Sequence, residues 1–416
     1  MEVDLLYKKF KNAEKAENIE EITECLLEAM EICEGSKDNI PVKLKEIIYH
    51  TDILFYQAIK AVDEKNEERA QLLAYSVFKY SAPIPQGLFI FFYLLGRVNY
   101  ISKNYTRAAK FFYLQDNYRA EEWQDFDELS YFYRANSLAM QERFEEAEML
   151  YEKILSIHAD FPEVKNNLEL VHKDTNENLI LEVSSLWNFC DWQDIPIFIN
   201  ARDRVGVLRK LINWLLNAGY RNLIILDNNS TYPKLLEYYS KLEEDSRVKV
   251  VLLKKNLGYK ALWLSNILED MKISTPYVYT DPDVLPIDEC PKDFMKRLIE
   301  LLDSNHEIRK VGLSLLWEDI TIDNKEKFRR TQFDFFKRGY IGDNVSYANI
   351  DTTFALYSNL RIYSLRFSLR TYGDFRLRHL PWYFNYKKLP EDEKYYLEHA
   401  DRNSVTTVQD KIINKD

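Results

Sequence analysis

Glycine and the common catalytic loop sequences are scarce in this chain. Only 10 of its 416 residues are glycine. The sequence contains no GxGxxG or GxxxxGK[ST] loop, no HExxH helix and no GxSxG turn. These absences argue against P-loop NTPases, zinc metalloproteases and serine hydrolases of the α/β type. They also disfavour hydride transfer from a dinucleotide.

Paired cysteines and long apolar runs are lacking as well. The 4 cysteines show no CxxC spacing, which predicts reduced, structural thiols. The longest apolar run, Leu88 to Leu95, is far too short to span a bilayer, and the opening MEVDLLYKKF does not resemble a secretory signal. We therefore expect a cytoplasmic protein without a transmembrane segment, at most peripheral to the inner membrane surface. The cysteines are Cys25, Cys33, Cys190 and Cys290.

Acidic residues outnumber basic ones in the chain. The formal net charge is −11, and no long basic stripe interrupts it. A field of this sign repels polyanions, so we expect no nucleic-acid partner. Apolar residues make up 46% of the sequence and charged residues 30%, with 29 tyrosines and 23 phenylalanines, which indicates a folded chain long enough for two domains.

Residues 1–185 show the 3.6-residue recurrence of apolar positions that is typical of helices. Within them, FYLLGRVNYISKNYTRAAKFFY, which begins at Phe92, aligns with YFYRANSLAMQERFEEAEMLYE, which begins at Tyr131, at an offset of 39. The alignment matches small residues with small ones and aromatic residues with aromatic ones. The matched pairs are Gly96 with Ala135, Ala108 with Ala147, and Phe112 with Tyr151.

This pattern resembles the tetratricopeptide repeat, in which small and aromatic residues let antiparallel helices pack closely. The usual period of that family is about 34 residues, and an insertion at Asp116 to Asp127 accounts for the difference. The resemblance implies an all-α repeat domain over residues 1–185 that docks an acceptor or a protein partner. A plain helical bundle is the alternative, because two matched units form a short array.

From Cys190 onward, short branched apolar segments alternate with amphipathic helices, which indicates a parallel α/β sheet. The helix predicted over 204–218 ends at Gly219, the residue type that most often adopts the left-handed conformation after a helix. We assign this α/β domain to residues 190–400 and a polar tail to residues 401–416. The predicted strands preceding the acidic motif are 195–200, 222–227, 248–253 and 277–280.

Polar residues follow the first, second and fourth predicted strands, where ligands bind in open parallel sheets. These clusters are Asn200–Asp203, Asp227–Ser230 and Asp281–Asp283. Asp281 and Asp283 are one residue apart in an extended segment, so both carboxylates can point to one side and hold Mg²⁺ or Mn²⁺ together with diphosphate oxygens. An acidic turn is the alternative interpretation. The same spacing in Asp125–Asp127 lies in the helical half, and we interpret that copy as a solvated loop without catalytic importance.

Five segments between residues 195 and 400 carry a family resemblance. They are FINARD (198–203), ILDNNSTYP (225–233), NLGYKALW (256–263), TDPDVLP (280–286) and DTTFALY (351–357). Together they are similar to nucleotide-sugar glycosyltransferases of the GT-A type, broadly those of family 2. The resemblance implies a GT-A catalytic domain with a Rossmann-like mixed sheet, a UDP- or GDP-sugar donor and a divalent cation, Mn²⁺ or Mg²⁺. It also implies a saccharide, glycoconjugate or lipid-linked acceptor.

The resemblance further implies roles for individual residues. The metal ligands would be Asp281, Asp283 and His379, because many GT-A enzymes complete the metal site with a late histidine. A packed core histidine is the alternative for His379, and an ordinary surface lysine is the alternative for Lys260. The implied donor-binding residues are Asn200, Arg202, Asp203, Asp227, Asn229, Asn256, Gly258, Lys260 and Asp281.

An inverting transfer needs a carboxylate that takes the proton of the acceptor hydroxyl. Asp351, at the start of DTTFALY, is the favoured catalytic base. Glu318 and Asp319 compete for this role, because LSLLWEDI resembles the Glu-Asp pair of many family 2 enzymes. An arginine cluster follows, which either meets an anionic group such as diphosphate or forms a solvated face. Its members are Arg361, Arg366, Arg370, Arg376 and Arg378.

Two other functions stay open at this point. One is a repeat-based adaptor whose sheet domain binds a nucleotide without transferring sugar. The other is a metal-dependent nucleotidyltransferase, although NARDRVG is a poor match to the glycine-rich, basic loop that usually follows the first strand in that class.

Overall fold

The structure, a computed structural model, divides into two compact units. One unit consists of Met1–Leu186 and Phe335–Ala348, and the other of Trp187–Asp334 and Asn349–Asp416. The predicted tail 401–416 lies outside the described residues, as does most of the predicted insertion. The assignment of separate domains to residues 1–185 and 190–400 stays a prediction. The described residues are 2–16, 18–33, 41–48, 52–81, 85–118, 127–187, 189–320, 340–342, 344–358 and 367–400.

The first unit is built of helices. It also contains a two-stranded hairpin of Tyr340–Gly342 and Val345–Tyr347. None of the helices in the described part of the chain is long and apolar enough to cross a membrane. The helices of this unit are α1 (Glu2–Lys15), α2 (Ile19–Cys33), α3 (Val42–Ile48), α4 (Asp52–Asp63), α5 (Glu67–Ser81), α6 (Pro85–Ile101), α7 (Tyr105–Gln115), α8 (Asp127–Ala139), α9 (Phe144–Ile157) and α10 (Pro162–Val171).

Small residues let the helices of the repeat-like pairs pack closely. A Cβ atom added to Gly96 of α6 would lie 2.5 Å from the Phe112 ring of α7, so the ring would have to shift for any other residue. At the aligned positions of α8 and α9, Ala135 and Tyr151 are fully buried. All six residues of the sequence alignment are buried. Their burial explains why the pattern recurs, while membership in the tetratricopeptide family stays a proposal.

Two buried asparagines hold the extended segment that follows α10. The side-chain amides of Asn136 and Asn167 both donate to the carbonyl of Ile180, at 3.1 and 2.8 Å. The Ile180 N–H in turn donates to Asn167 Oδ1 at 2.8 Å, and the Tyr100 hydroxyl donates to the Leu181 carbonyl at 2.8 Å. These bonds satisfy polar groups that would otherwise be buried without partners. This part of the helical surface is therefore occupied by the chain's own backbone.

The second unit is a mixed sheet with helices packed around it, which agrees with the predicted order of a helical half followed by an α/β half. Its strands are β1 (Ile197–Ala201), β2 (Leu223–Asp227), β3 (Val248–Leu252), β4 (Tyr277–Thr280), β5 (Val284–Pro286), β6 (Lys310–Leu315), β7 (Ala355–Tyr357) and β8 (Ser368–His379). Its helices are α11 (Val205–Ala218), α12 (Pro233–Leu242), α13 (Ala261–Leu264), α14 (Ile267–Asp270), α15 (Phe294–Asp303) and α16 (Glu391–His399).

Within this unit the strand order is β3-β2-β1-β4-β7-β6-β8, and β5 pairs with β8. The first four strands of this order are parallel neighbours. The short β7 is antiparallel to both β4 and β6, whereas β8 runs parallel to β6 and antiparallel to β5. The antiparallel β7 therefore makes the sheet mixed and inserts a segment directly beside the end of β4.

The predicted elements agree with the structure to within about two residues, the usual uncertainty of element ends. Strand β1 begins at Ile197 rather than at residue 195, and the buried face of α11 includes Leu208, Leu211, Ile212 and Leu215. Gly219 ends α11 with a φ of +98°, in the left-handed region. The helical segment that begins at Ala261 is interrupted, because Asn266 adopts a φ of +57° between α13 and α14.

Candidate functional site

The ends of three parallel strands meet at one edge of the sheet. Ala201, the last residue of β1, is in register with Asp227, the last residue of β2. Ile199 of β1 is in register with Thr280, the last residue of β4. The polar clusters that follow β1, β2 and β4 therefore lie beside one another, as the sequence predicted from strand order.

Asp281 follows β4 and is bonded to the segment that precedes β7. Its backbone N–H donates to the Thr352 carbonyl at 2.9 Å, and its Oδ2 accepts a short hydrogen bond from the Thr352 hydroxyl. Burial and the neighbouring Asp283 carboxylate raise the pKa of Asp281 well above its usual value. A cation beside Asp281 would offset this repulsion.

Asp283 is buried in a network of charged side chains. Its Oδ2 accepts a 2.6 Å hydrogen bond from Arg204 Nη1 and lies 3.3 Å from His379 Nε2. Arg204 is itself buried, and its Nε donates to both carboxylate oxygens of Glu393, at 2.9 and 3.0 Å. Burial opposes ionisation of Asp283, but His379 and Arg204 outweigh it and lower the pKa of this carboxyl.

Helix α16 supplies residues to this network that sequence reasoning missed. Besides Glu393, Asp392 accepts a 2.6 Å hydrogen bond from the backbone N–H of Gly206, in the first turn of α11. The Tyr396 ring lies 4.9 Å from the Arg204 guanidinium carbon. The start of α16 carries Glu391, Asp392 and Glu393 after Pro390. This pattern marks a helix N-terminus in the sequence, but it does not predict that the helix contacts Arg204.

Asp281, Asp283 and His379 are not arranged as a three-ligand metal site. Across the residues that the structure describes, no group of three or more His, Cys, Asp or Glu side chains is arranged to hold a metal. Asp283 Oδ1 is nevertheless buried without a hydrogen-bond partner in that part of the chain, as is Nδ1 of His379. Mg²⁺ and Mn²⁺ commonly take one or two protein carboxylates and complete their shell with phosphate oxygens and water. Asp283 and Asp281 can supply such a pair.

The ends of β1 and β2 are held to the NLGYKALW segment by side-chain amides. Asn200 Nδ2 and Asn228 Nδ2 both donate to the Gly258 carbonyl, at 3.2 and 2.9 Å. Asn228 Oδ1 also accepts from the Leu257 N–H at 2.6 Å. Gly258 adopts a φ of +66°, which glycine tolerates without strain. Asn256 Oδ1 accepts from the Gly258 N–H at 2.9 Å and supports the same turn.

Two side chains at the end of β1 keep polar atoms without hydrogen-bond partners among the described residues. They are Asn200, through Oδ1, and Arg202, through Nε and Nη1. The Arg202 Nε lies 3.6 Å from Asp203 Oδ2, which is an ion-pair distance but too long for a hydrogen bond. An amide oxygen and a guanidinium at one strand end suit the base, ribose or phosphate of a nucleotide.

Asp203 and Asp227 are both buried and have partners within the protein. Asp203 Oδ1 accepts from the backbone N–H groups of Thr231 and Tyr232, at 2.6 and 2.8 Å, before α12. Asp227 accepts from the Tyr239 hydroxyl at 2.8 Å and from the Ser230 N–H at 3.0 Å. Both carboxylates therefore shape the loop after β2, and their predicted contact with a nucleoside stays a prediction.

The remaining predicted donor residues, Asn229 and Lys260, follow strands β2 and β3. Asn229 is exposed and adopts a φ of +61°. Lys260 ends a 3₁₀ turn of Gly258–Lys260, with its ammonium 5.6 Å from the Tyr259 ring centroid. Neither position contradicts a role in donor binding.

Asp351 is held through one carboxylate oxygen. Its Oδ1 accepts from the Thr353 N–H, the Thr353 hydroxyl and Arg370 Nη2, at 3.2, 2.9 and 3.3 Å. The side chain is 45% exposed. Partial burial opposes ionisation, but Arg370 and Thr353 outweigh it and lower the pKa of Asp351. Asp351 thus combines an ionised, accessible carboxylate with a direct connection through Thr352 to Asp281.

The competing Glu318 and Asp319 are paired with arginines of β8. Glu318 Oε1 accepts from Arg376 Nη1 at 2.8 Å, and Asp319 Oδ2 accepts from Arg378 Nε at 3.1 Å. Together with the pairing of Arg370 and Asp351, these contacts neutralise the three arginines of the predicted cluster that the structure describes. Arg361 and Arg366 lie outside the described residues.

The sequence matches no protein-family model and no curated protein. A solved mannosyltransferase from Pyrobaculum calidifontis, in complex with GDP-Man and Mn²⁺, is 12% identical with a TM-score of 0.28, over 54% of this chain and 56% of that one. A mutant O-GlcNAc transferase from Thermobaculum terrenum is 13% identical with a TM-score of 0.24, over 48% of this chain and 41% of that one. The chain thus spans about half the length of these structures or less. Likenesses of this size add no weight to a functional assignment.

Proposed function

We propose that the sheet unit is a metal-dependent glycosyltransferase of the GT-A type that moves a sugar from a UDP- or GDP-sugar to a hydroxyl of a saccharide, glycoconjugate or lipid-linked acceptor. The observation that carries this proposal is the pair of bonds between Asp281 and Thr352. They join the acidic motif after β4 to the residue that follows Asp351. One site therefore combines an acidic pair suited to a metal-bound diphosphate with a separate, accessible carboxylate.

The proposed chemistry divides between these two parts. Asp283 and Asp281, with His379 beside them, would hold Mn²⁺ or Mg²⁺, which neutralises the leaving nucleoside diphosphate when bound. Asp351 accepts the proton of the acceptor hydroxyl as that oxygen attacks the sugar carbon, which corresponds to an inverting transfer. Asn200 and Arg202 provide polar atoms at the strand ends for the donor.

The helical unit has a supporting part in this proposal. Its repeat-like helices resemble tetratricopeptide repeats and would dock an acceptor or a protein partner. The asparagine contacts to Ile180 occupy part of that surface with the chain's own backbone. A partner would therefore bind elsewhere on these helices or displace this segment. A cytoplasmic setting, at most peripheral to the inner membrane surface, belongs to the same proposal.

One observation favours a second candidate, a nucleotide-binding adaptor that transfers no sugar. Arg204 already donates to Asp283 at 2.6 Å and could replace a metal as the cation at this carboxylate. In that case the nucleotide would bind without a divalent ion. The two candidates thus differ in their dependence on metal.

A donor screen tests the proposal. The full chain is incubated with a panel of UDP- and GDP-sugars, with simple saccharide acceptors, in Mn²⁺ or in EDTA, and release of nucleoside diphosphate is measured. We expect release from at least one donor in Mn²⁺ and none in EDTA. Donor binding without release in either condition would support the adaptor. Pyrophosphate release from a nucleoside triphosphate and a sugar phosphate would instead identify a nucleotidyltransferase.

A further inference from the structure

Two buried basic side chains, Lys310 and Arg370, lie beneath the segment that carries Asp351. Lys310 is the first residue of β6, and Arg370 is the third residue of β8. Both side chains are fully buried. In the register of these parallel strands, Lys310 pairs with Ser368 and Gly312 pairs with Arg370. Lys310 and Arg370 therefore lie on adjacent strands, two residues apart along the strand direction. Side chains at such positions share one face of a sheet.

These two side chains hydrogen-bond to three successive residues, Asn349, Ile350 and Asp351. Arg370 Nε donates to the Asn349 carbonyl at 2.9 Å, and Lys310 Nζ donates to the Ile350 carbonyl at 2.7 Å. Arg370 Nη2 donates to Asp351 Oδ1 at 3.3 Å. The bonds from Arg370 are charge-assisted, and such bonds are stronger than neutral ones and fix geometry as well as charge. The backbone before Asp351 and the carboxylate itself are therefore anchored to the same pair of strands.

Gly312 allows this segment to approach the sheet. A Cβ atom there would lie 2.9 Å from Ile350 Cδ1, from Ala355 Cβ and from the Phe354 carbonyl oxygen. A real Cβ is essentially never found so close to other atoms, and one of the three neighbours is backbone. The absence of a side chain at Gly312 thus brings residues 350–355 within reach of Lys310 and Arg370.

All the hydrogen bonds to the Asp351 carboxylate reach the same oxygen. Oδ1 accepts from Thr353 and Arg370, whereas Oδ2 accepts none within the part of the chain that the structure describes. Among the described residues, the ionisable groups that act on this carboxylate include Lys310 on β6, Arg370 on β8 and Asp281 after β4. An anchored carboxylate with one free oxygen suits a base that must point at an acceptor hydroxyl.

We propose that Lys310 and Arg370 are positioning residues, which hold Asp351 through its backbone and one oxygen so that the other oxygen meets the acceptor. This inference rests on the proposed function, since it concerns the base of the transfer. It adds two residues that the sequence motifs do not predict: Lys310 belongs to no motif, and Arg370 belongs to the arginine cluster for which the sequence predicts either an anionic ligand or a solvated face.

Steady-state kinetics of full-length variants test the proposal. Arg370→Met and Lys310→Met are compared with Arg370→Lys and with Arg221→Met, whose arginine forms an exposed pair with Asp194. We expect Arg370→Met to lower kcat by about 10²-fold, the effect of misplacing a catalytic group by about 1 Å, with little change in the donor KM. Arg221→Met should match the wild type.

The pH dependence of kcat separates positioning from a merely structural role. Arg370 holds the pKa of Asp351 low, so its removal should move the acidic limb of the profile to higher pH. Arg370→Lys retains the charge and should return the limb towards its wild-type position while recovering only part of kcat. Lys310→Met should move the limb in the same direction as Arg370→Met, and it provides a second variant if the latter does not fold.

Two results would overturn the proposal while leaving the proposed function intact. One is wild-type kcat in folded Arg370→Met and Lys310→Met. The other is a loss of kcat that follows a loss of thermal stability without movement of the acidic limb. If the wild type transfers no sugar with any donor in Mn²⁺, the proposed function itself fails and this inference fails with it.

Discussion

Arg204 Nη1 and Asp283 Oδ2 form a 2.6 Å hydrogen bond between two buried, oppositely charged side chains. The same arginine binds Glu393 of α16, so a residue at the start of α11 connects the acidic motif to the last helix that the structure describes. One oxygen of Asp283 is thereby committed to Arg204, and Oδ1 remains for a metal. The pair also makes the integrity of the site depend on α16.

Replacing Arg204 should destabilise the sheet unit strongly. Arg204→Met leaves Asp283 and Glu393 buried without their shared cation, and loss of one partner from a buried ion pair costs about 3–5 kcal/mol. The free energy of unfolding from urea titration measures this change. Arg221→Met, which removes an exposed pair, should cost about 0–1 kcal/mol. Equal effects of the two substitutions would contradict the buried network.

Asp351 and Glu318 should differ as candidates for the base. Asp351→Asn keeps the shape of the side chain but cannot accept a proton, so kcat should fall by about 10²–10⁴-fold, the usual contribution of a general base. Glu318→Gln should lower kcat far less, because Asp351, unlike Glu318, lies in the segment whose Thr352 is bonded to Asp281 of the acidic motif. Transfer rates at saturating donor measure both. The reverse order would assign the base to the Glu-Asp pair.

The stability of the protein should carry a pH signature from Lys310. Burial, with Arg370 nearby, lowers the pKa of Lys310 to about 7 in the folded state, whereas the unfolded value is about 10.4. Between these values the unfolded chain binds a proton that the folded chain does not, so the contribution of Lys310 to stability rises with pH. Relative to Lys310→Met, the free energy of unfolding should increase from pH 7 to 9, by at most about 1.4 kcal/mol per unit. A constant difference between the two proteins would contradict a neutral, buried lysine.

Gly312→Ala should disturb the Asp351 segment without touching the metal ligands. The added methyl group meets three atoms at 2.9 Å, and overpacking of this kind costs about 1–3 kcal/mol. The thermal transition and kcat should both decrease, while Mn²⁺ affinity stays at its wild-type value. Ile350→Val removes the Cδ1 atom from this contact, so the double variant should recover part of the loss. If the double variant recovers none of the loss, the strain does not arise from the contact with Ile350.

Sequence patterns identified the elements and motifs that depend on local order. Short continuous apolar segments located β1, β2 and β4, whose residues are buried on both faces of the sheet. Helical periodicity located α11, because burial of one face of a helix imposes that period. The position of Asp281 and Asp283 followed from the same reasoning, since the carboxyl ends of parallel strands share an edge.

The partners of these residues could not be predicted, because they are distant in sequence and individually resemble surface charges. Arg204 lies 79 residues from Asp283 and 189 from Glu393. Lys310 begins a strand whose other residues are apolar or small, and a lysine there is typical of a strand end. Arg370 was grouped with its neighbours in sequence, whereas β8 places it in the sheet beneath Asp351. The register of β6 and β8 brings Lys310 and Arg370 together.

Calorimetric titration of Mn²⁺ in the presence of a nucleoside diphosphate decides whether Asp283 holds a metal. The wild type is compared with Asp283→Asn and with Asp127→Asn, which alters the other acidic pair of the same spacing. We expect Asp283→Asn to weaken Mn²⁺ binding by at least about 10-fold, since even residues that hydrogen-bond to metal ligands contribute that much. Asp127→Asn should leave Mn²⁺ binding unchanged. Wild-type Mn²⁺ affinity in a folded Asp283→Asn protein would contradict the metal-dependent transferase.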